Sequence, residues 1–360
     1  MADYTTIDDP TEYFQVKIWT GNATSRTIDL DNNATMQPDF SWVKSRSNAY
    51  EQYWENSSRG TDKYLRSNRT SAQDNGTVVT YNSTGFGIGS GAENNEDSTT
   101  NVGWFWKGNG GTRSTFTESG DNPGGGYQVN TTAGFSIVDY TGTGGAGTIS
   151  HGLTAKPEFI MVKRTSGTAD WNVYHAANTS APETDYLRLN LTNATSDATR
   201  WNDTAPTTSV FSVGTDDAVN GDASTYLAFV FAPKQGFSKF GKYVGNGASD
   251  AAPSTLGPFI YTGFSPALVI IKKTSAVDSW YLFDNKRAGY DPAVYRLYGE
   301  STSAETGGTN NTIQFTSNGF KVRFHGGSLN ESGGDYVYMA WAEQPFVSST
   351  DTNSIPATAR

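Results

Sequence analysis

The 360-residue chain contains no cysteine. That absence excludes a disulfide framework and thiolate metal sites, so stability has to come from core burial, from association, or from both. No run of about 18 apolar residues occurs, which excludes an ordinary membrane-spanning helix, and no membrane insertion is expected. Histidine is scarce, and the three present, His151, His175 and His325, have no zinc-ligand spacing. Charged residues make up only 17%, and the formal net charge of −10 repels nucleic acid and anionic membranes. No stretch of about ten residues shows capped helical periodicity. The opening residues, Met1 to Asp9, have neither the basic nor the apolar region of a secretion leader. That fits a protein released by lysis, or a chain whose leader has been removed.

What is present points to strands. Aromatic residues reach 13%, and there are 39 glycines with abundant Thr, Ser and Asn. Large aromatic side chains suit pleated, half-buried surfaces, while Gly, Asn and Asp supply the turns between them.

The strongest signal is self-similarity with a period of roughly 110 residues. Each block opens on a strand running into a Gly turn: Phe14 to Gly21 and Phe135 to Gly142. In the third block both Lys242 to Gly245 and Phe259 to Gly263 fit, the latter being the better match in sequence. A proline-led apolar strand ending in Lys follows, at Pro38–Lys44, Pro157–Lys163 and Pro266–Lys272. Pro suits the first position of a strand, where its missing N–H does no harm. Then come an aromatic strand (Tyr50–Trp54, Trp171–Tyr174, Trp280–Phe283) and a Tyr-Leu-Arg strand (Tyr64–Arg66, Tyr186–Arg188, Tyr295–Leu297). Alternating strands follow around Val78–Ile88, Val210–Val213 and Ile313–Val322, and then a closing strand at Val102–Lys107, Tyr226–Ala232 and Tyr336–Ala342.

The fold expected is all-β: three tandem β-sandwich (jelly-roll-like) domains. The divisions are an N-terminal arm 1–13, repeat 1 at 14–107, a Gly/Ser/Thr-rich linker 108–132, repeat 2 at 133–236, repeat 3 at 237–346, and a C-terminal tail 347–360. The linker is either an ordered extension or a flexible arm. The repeat core is assigned to Phe40, Trp42, Trp104, Trp106, Phe159, Phe229, Phe231, Tyr338 and Trp341.

The order of these motifs resembles a repeated β-sandwich module of tailed phages, found in tail-fibre and other virion structural proteins of marine phages. Asp39, Phe40, Trp42, Lys44 and Arg46 match its Asp-Phe-x-Trp-x-Lys-x-Arg strand. Tyr338-Met339-Ala340-Trp341-Ala342 matches its closing strand, whereas Trp104-Phe105-Trp106 departs from it. The resemblance covers about Phe14 to Phe346. It implies a virion part, without saying which one or what it binds. The function expected is that of a non-enzymatic virion structural protein located in the particle, of tail-fibre or surface-appendage type and serving host attachment. A head-decoration or tail-hub protein, an extracellular filament or adhesin subunit, and a carbohydrate-active enzyme are the alternatives. The partners expected are further copies of the chain, a trimer being favoured, other virion proteins, and a host surface glycan.

No catalytic constellation is evident. Gly142 to Gly147 satisfies G-x-G-x-x-G, but no helix follows to meet a pyrophosphate, so it is a turn. No G-x-S-x-G elbow occurs, and no carboxylate pair stands out. No cofactor is expected, although Asp29-Leu30-Asp31-Asn32-Asn33 and Asp216 to Asp222 carry oxygen ligands suited to calcium. Trp171, Tyr174, Trp280 and Tyr281 are candidate receptor or glycan contacts, as aromatic faces for sugar rings, although their recurrence also suits a core. The loops Gly89–Asn101 and Gly326–Asp335 are the better place for recognition, since their compositions and lengths differ between blocks. Lys44, Lys163 and Lys272 end equivalent strands, where charge protects an edge.

Overall fold

The computed structural model describes residues 4–31, 36–60, 62–91, 93–248, 257–287, 293–308, 311–323 and 327–348. The chain is all-β, built of sandwiches, with only two four-residue α-helices among the described residues. No helix there is long and apolar enough to cross a membrane.

One five-strand order occurs in three large sheets. An opening strand (Phe14–Thr20, Phe135–Thr141, Ser238–Val244) pairs with the closing strand (Thr100–Trp106, Thr225–Phe231, Asp335–Pro345). The closing strand pairs in turn with a central strand (Phe40–Ser45, Phe159–Arg164, Phe264–Lys273). The aromatic strand (Gln52–Asn56, Asn172–His175, Trp280–Asp284) comes next, followed by a short fifth strand (Lys63–Arg66, Asp185–Arg188, Leu297–Tyr298). A small sheet carrying Gly85–Ile88, Val210–Val213 or Gly319–Val322 belongs to each of these three units.

The opening strand of the third unit is therefore Ser238–Val244. Phe259–Tyr261, favoured on sequence, is an edge strand of the small sheet. The third fifth strand also shifts: Leu65, Leu187 and Leu297 are the equivalent buried residues, so Tyr298, not Leu297, stands where Arg66 and Arg188 do. Pro266 lies inside its strand at a β-bulge, where its missing N–H is tolerated. Residues 108–132 are ordered in part as a hairpin, Ser114–Phe116 with Gly124–Asn130, which adds two strands to the second large sheet.

The central and closing strands are buried on both faces, which is why they read as unbroken apolar runs. In the closing strand of the second unit, Leu227, Phe229 and Phe231 face one core while Tyr226, Ala228 and Val230 face another. The second of these cores lies inside the unit's own sandwich. The first is shared, because Trp42, Trp104 and Trp106 of unit 1 and Met339 and Trp341 of unit 3 belong to it as well. Three equivalent aromatic residues meet there, with Trp106 to Phe231 at 6.3 Å, Phe231 to Trp341 at 5.4 Å, and Trp341 to Trp106 at 5.3 Å between ring centroids.

The units close on one another in a ring. Trp171 Nε1 of unit 2 donates to Arg66 O of unit 1 at 2.9 Å, and Trp280 Nε1 of unit 3 donates to Arg188 O of unit 2 at 2.8 Å. Gln52 of unit 1, at the same position as the two tryptophans, donates Nε2 to Tyr298 O of unit 3. A backbone bond repeats the cycle: Gln73 N to Thr165 O, Thr195 N to Thr274 O, and Glu305 N to Arg46 O, at 3.0, 3.0 and 2.7 Å. The sandwiches thus surround a pseudo-threefold axis; they are not strung out in a row.

The turn after each opening strand is built alike. A Cβ on Gly21, Gly142 or Gly245 would lie 2.0, 2.4 or 2.1 Å from a carbonyl oxygen, closer than any side chain tolerates. The fully buried Asn95, Asn220 and Asn330 accept the N–H of Asn22, Thr143 and Asn246 at 3.3, 3.0 and 2.9 Å. Gly142–Gly147 is part of this turn and carries no phosphate-binding helix.

Candidate functional site

The four aromatic candidates are not available to a sugar. Trp171, Tyr174, Trp280 and Tyr281 are 0, 1, 1 and 5% exposed. Trp171 and Trp280 close the ring; Tyr174 packs edge-on against Trp201 and Tyr281 against Tyr298. The assigned core residues Phe40, Trp42, Trp104, Trp106, Phe159, Phe229, Phe231, Tyr338 and Trp341 are all buried. His175 is buried with Nε2 3.1 Å from Tyr338 O, and His151 Nδ1 accepts the Leu153 N–H at 3.1 Å. Burial pulls both imidazoles down to about 4, which marks them as neutral structural groups. His325 lies outside the described residues.

Of the calcium candidates, Asp216 caps a helical turn through the Ala218 N–H and pairs with Arg200, and Asn220 is the buried turn residue. Asn32 and Asn33 lie outside the described residues. Among the described residues no three His, Cys, Asp or Glu side chains group as a metal site.

Lys44, Lys163 and Lys272 do not guard an edge. They sit on central strands, 1, 0 and 0% exposed, and their ammonium groups donate to backbone carbonyls. Lys163 Nζ reaches Thr70 O and Lys272 Nζ reaches Thr192 O, each across a unit boundary at 3.0 Å, while Lys44 Nζ bonds Ser45 O at 2.7 Å within its own unit. Burial pushes all three down from 10.5 to about 8. At these three groups the unfolded chain then binds more protons than the folded one between about pH 8 and 10.5, so their contribution to stability rises with pH in that window. Tyrosines held above 10 by burial, Tyr81, Tyr140, Tyr174, Tyr243, Tyr281 and Tyr338 among them, oppose that trend from about pH 9, where tyrosines of the unfolded chain begin to ionise. The expected gain from pH 8 to 10 is on the order of 2 kcal/mol per lysine. Urea unfolding of Lys163→Met should therefore gain about 2 kcal/mol less from pH 8 to 10 than the intact chain does; an unaltered slope would refute the assignment.

The loop after Gly85–Ile88 carries open polar chemistry in unit 1. It has almost the same length in all three units (89–99, 214–224 and 323–334), contrary to expectation, but among the described residues a helical turn forms only in the second and third. In unit 1 it borders two adjoining hollows of about 270 Å³ each, which share Gly91 and Glu93. Tyr50 and Glu96 line one; Tyr53, Tyr64 and Asn75 line the other. Tyr50 Oη donates to Glu96 Oε2 at 2.6 Å, and Tyr53 Oη donates to Glu93 Oε2 at 2.7 Å. The Glu96 hydrogen bond raises the Tyr50 pKa, and burial followed by the Glu93 bond raises that of Tyr53, so both hydroxyls stay protonated donors. Each carboxylate keeps its other oxygen without a hydrogen-bond partner among the described residues. Tyrosine rings, fixed acceptors and an amide side by side can stack on a sugar and bond its hydroxyls. The sequence located this loop, but gave no sign that Tyr50, Tyr53 and Tyr64, on or beside neighbouring strands, converge on it.

Residues 9–345 match a family described as a domain of unknown function (DUF7483), and the chain belongs to that family. No curated protein and no solved structure matches the chain.

Proposed function

We propose that this member of the DUF7483 family is a non-catalytic structural component of a bacteriophage particle, of tail-fibre or surface-appendage type, which meets a host saccharide through the groove of its first unit. The observation that carries this reading is the closed ring. Three sheets that spend their inner faces on one shared core make a rigid body suited to bearing load and to holding loops in place. The likeness of its strands to phage virion modules supports the location. Tyr50 and Tyr53, bonded to Glu96 and Glu93, support binding over turnover, because each carboxylate is already fixed by a tyrosine donor. On this reading one chain stands where a homotrimeric fibre would place three. The pseudo-threefold axis equally favours a second reading, a head-decoration protein seated on a threefold-symmetric position of a shell.

Mass spectrometry and immunoelectron microscopy of purified particles test the location. Labelling on the tail supports the first reading, labelling on the head the second, and absence from particles rejects both. For the groove, Tyr50→Ala is expected to weaken saccharide binding by at least about tenfold, or 1.4 kcal/mol, with the unfolding midpoint unchanged. A panel of neutral saccharides of which none binds the intact chain would remove the groove from the proposal.

A further inference from the structure

A second groove, of about 690 Å³, lies between unit 1 and the hairpin that extends the second large sheet. Arg59, Lys63 and Gln73 line it from unit 1; Arg113, Glu118 and Asp139 line it from the hairpin and the strands it joins. Three cationic side chains against two carboxylates is an excess of positive charge in a chain whose net charge is −10. Asp139 is already engaged, since Arg113 Nε donates to it at 2.8 Å and Arg113 Nη2 to its other oxygen.

Arg59 has no such partner. Its Nη1 donates to Gln73 Oε1 at 2.7 Å, but Nε and Nη2, shielded from solvent, have no acceptor, and no ion pair involves it among the described residues. Burial lowers its pKa to about 10, against the opposing pull of Tyr81, Glu55, Asp139 and Asp62, none of which forms an ion pair with it. Nε–H and Nη2–H form one edge of the guanidinium, the fork that binds an oxyanion side-on through two parallel hydrogen bonds. Leaving such donors unsatisfied is costly, and an incoming oxyanion removes that cost. Binding an oxyanion in the groove requires the long side chain to turn this buried edge outward and to give up the Gln73 bond. The remaining lining includes Ser58, Thr141, Thr165 and Thr225, hydroxyls suited to a polyhydroxylated carrier.

We propose that this groove binds an acidic saccharide, with the guanidinium of Arg59 clasping its sulfate or carboxylate and Lys63 at the same wall. The site is separate from the groove of the first unit.

Calorimetric titration of the full chain with a sulfated oligosaccharide, its desulfated form, and inorganic sulfate provides the test. The sulfated form should bind at least about tenfold more tightly than either control, with affinity falling as salt rises. Arg59→Gln should lose that preference, Arg59→Lys should retain part of it, and Tyr50→Ala should leave it unchanged. Lys63→Gln, a more peripheral change, should weaken binding even if Arg59→Gln fails to fold. Equal binding of sulfated and desulfated forms, or wild-type affinity in the folded Arg59→Gln or Lys63→Gln variant, would overturn the proposal. Inorganic sulfate binding as tightly as the oligosaccharide would overturn the saccharide part. A loss of preference in Tyr50→Ala would place the ligand in the other groove instead.

Discussion

Replacing Trp341 with alanine is expected to destabilise the whole chain by about 3–5 kcal/mol, and to do so in one cooperative transition. Trp341 is 1% exposed and touches the equivalent aromatic residues of both other units, Trp106 and Phe231. It also packs against Phe14 of unit 1 and Phe159 of unit 2, with ring centroids 6.0 and 6.4 Å apart. Truncation therefore opens a cavity where all three sheets meet, and no single sheet can collapse to fill it. Trp106→Ala and Phe231→Ala remove the other corners of the same triangle, so their effects should couple with it and fail to add. Calorimetry distinguishes this from a row of independent sandwiches. In a row, damage to the third unit would lower one transition and leave two at their original temperatures. In the ring, the single transition moves as a whole.

The sequence showed the strands more clearly than the way the units meet. Alternation and turn residues marked the all-β class and nearly every strand, because those patterns follow directly from one face being apolar. The central strands held a further signal: Phe159 to Val162 is apolar at every position, as a strand buried on both faces requires. The ring itself left little trace. Trp171 and Trp280 close it on the carbonyls of Arg66 and Arg188, and a carbonyl acceptor has no side-chain signature. At the third joint Gln52 replaces tryptophan, so the motif is broken in the unit where closure is completed. The lysines were misplaced for a related reason. An ammonium satisfied by backbone carbonyls needs no acidic partner that a sequence would reveal. The hairpin at residues 114–130 was hidden by glycine: Gly124-Gly125-Gly126 reads as linker, yet forms a strand because the neighbouring backbone comes too close for a side chain at Gly125. The tyrosine groove and the Arg59 groove are both assembled from distant segments, which no linear motif announces.

Glu305→Ala is expected to cost about 3–5 kcal/mol, as much as a core aromatic, although Glu305 is neither aromatic nor central. Units 1 and 2, and units 2 and 3, are joined by the chain itself; units 3 and 1 are not, so their seam must be held by contacts alone. It carries the densest buried ionic cluster among the described residues. Arg46 of unit 1 clasps Glu305 of unit 3 through two bonds of 3.0 and 2.8 Å. Arg287 joins Glu305 at 3.1 Å to Asp284 at 2.7 Å, and Trp104 Nε1 of unit 1 reaches Asp284 at 3.2 Å. The Arg287 and Asp284 side chains are 1 and 0% exposed. Arg46 and Glu305 are 15 and 9% exposed, so the two arginines face the two carboxylates largely out of water, and removing Glu305 leaves Arg46 without its anion and Arg287 with only one. The penalty comes from the uncompensated charge, and the pair's own net contribution is smaller. For that reason the double variant Arg46→Met/Glu305→Leu should recover most of the loss, and a double-mutant cycle in urea should give a coupling of more than about 1 kcal/mol. Recovery would assign the cluster to the closure of the ring. Additive losses, with no recovery, would show that Arg46 and Glu305 act separately and that the seam is held by its apolar contacts, with Trp341 against Phe14 and Trp106 foremost.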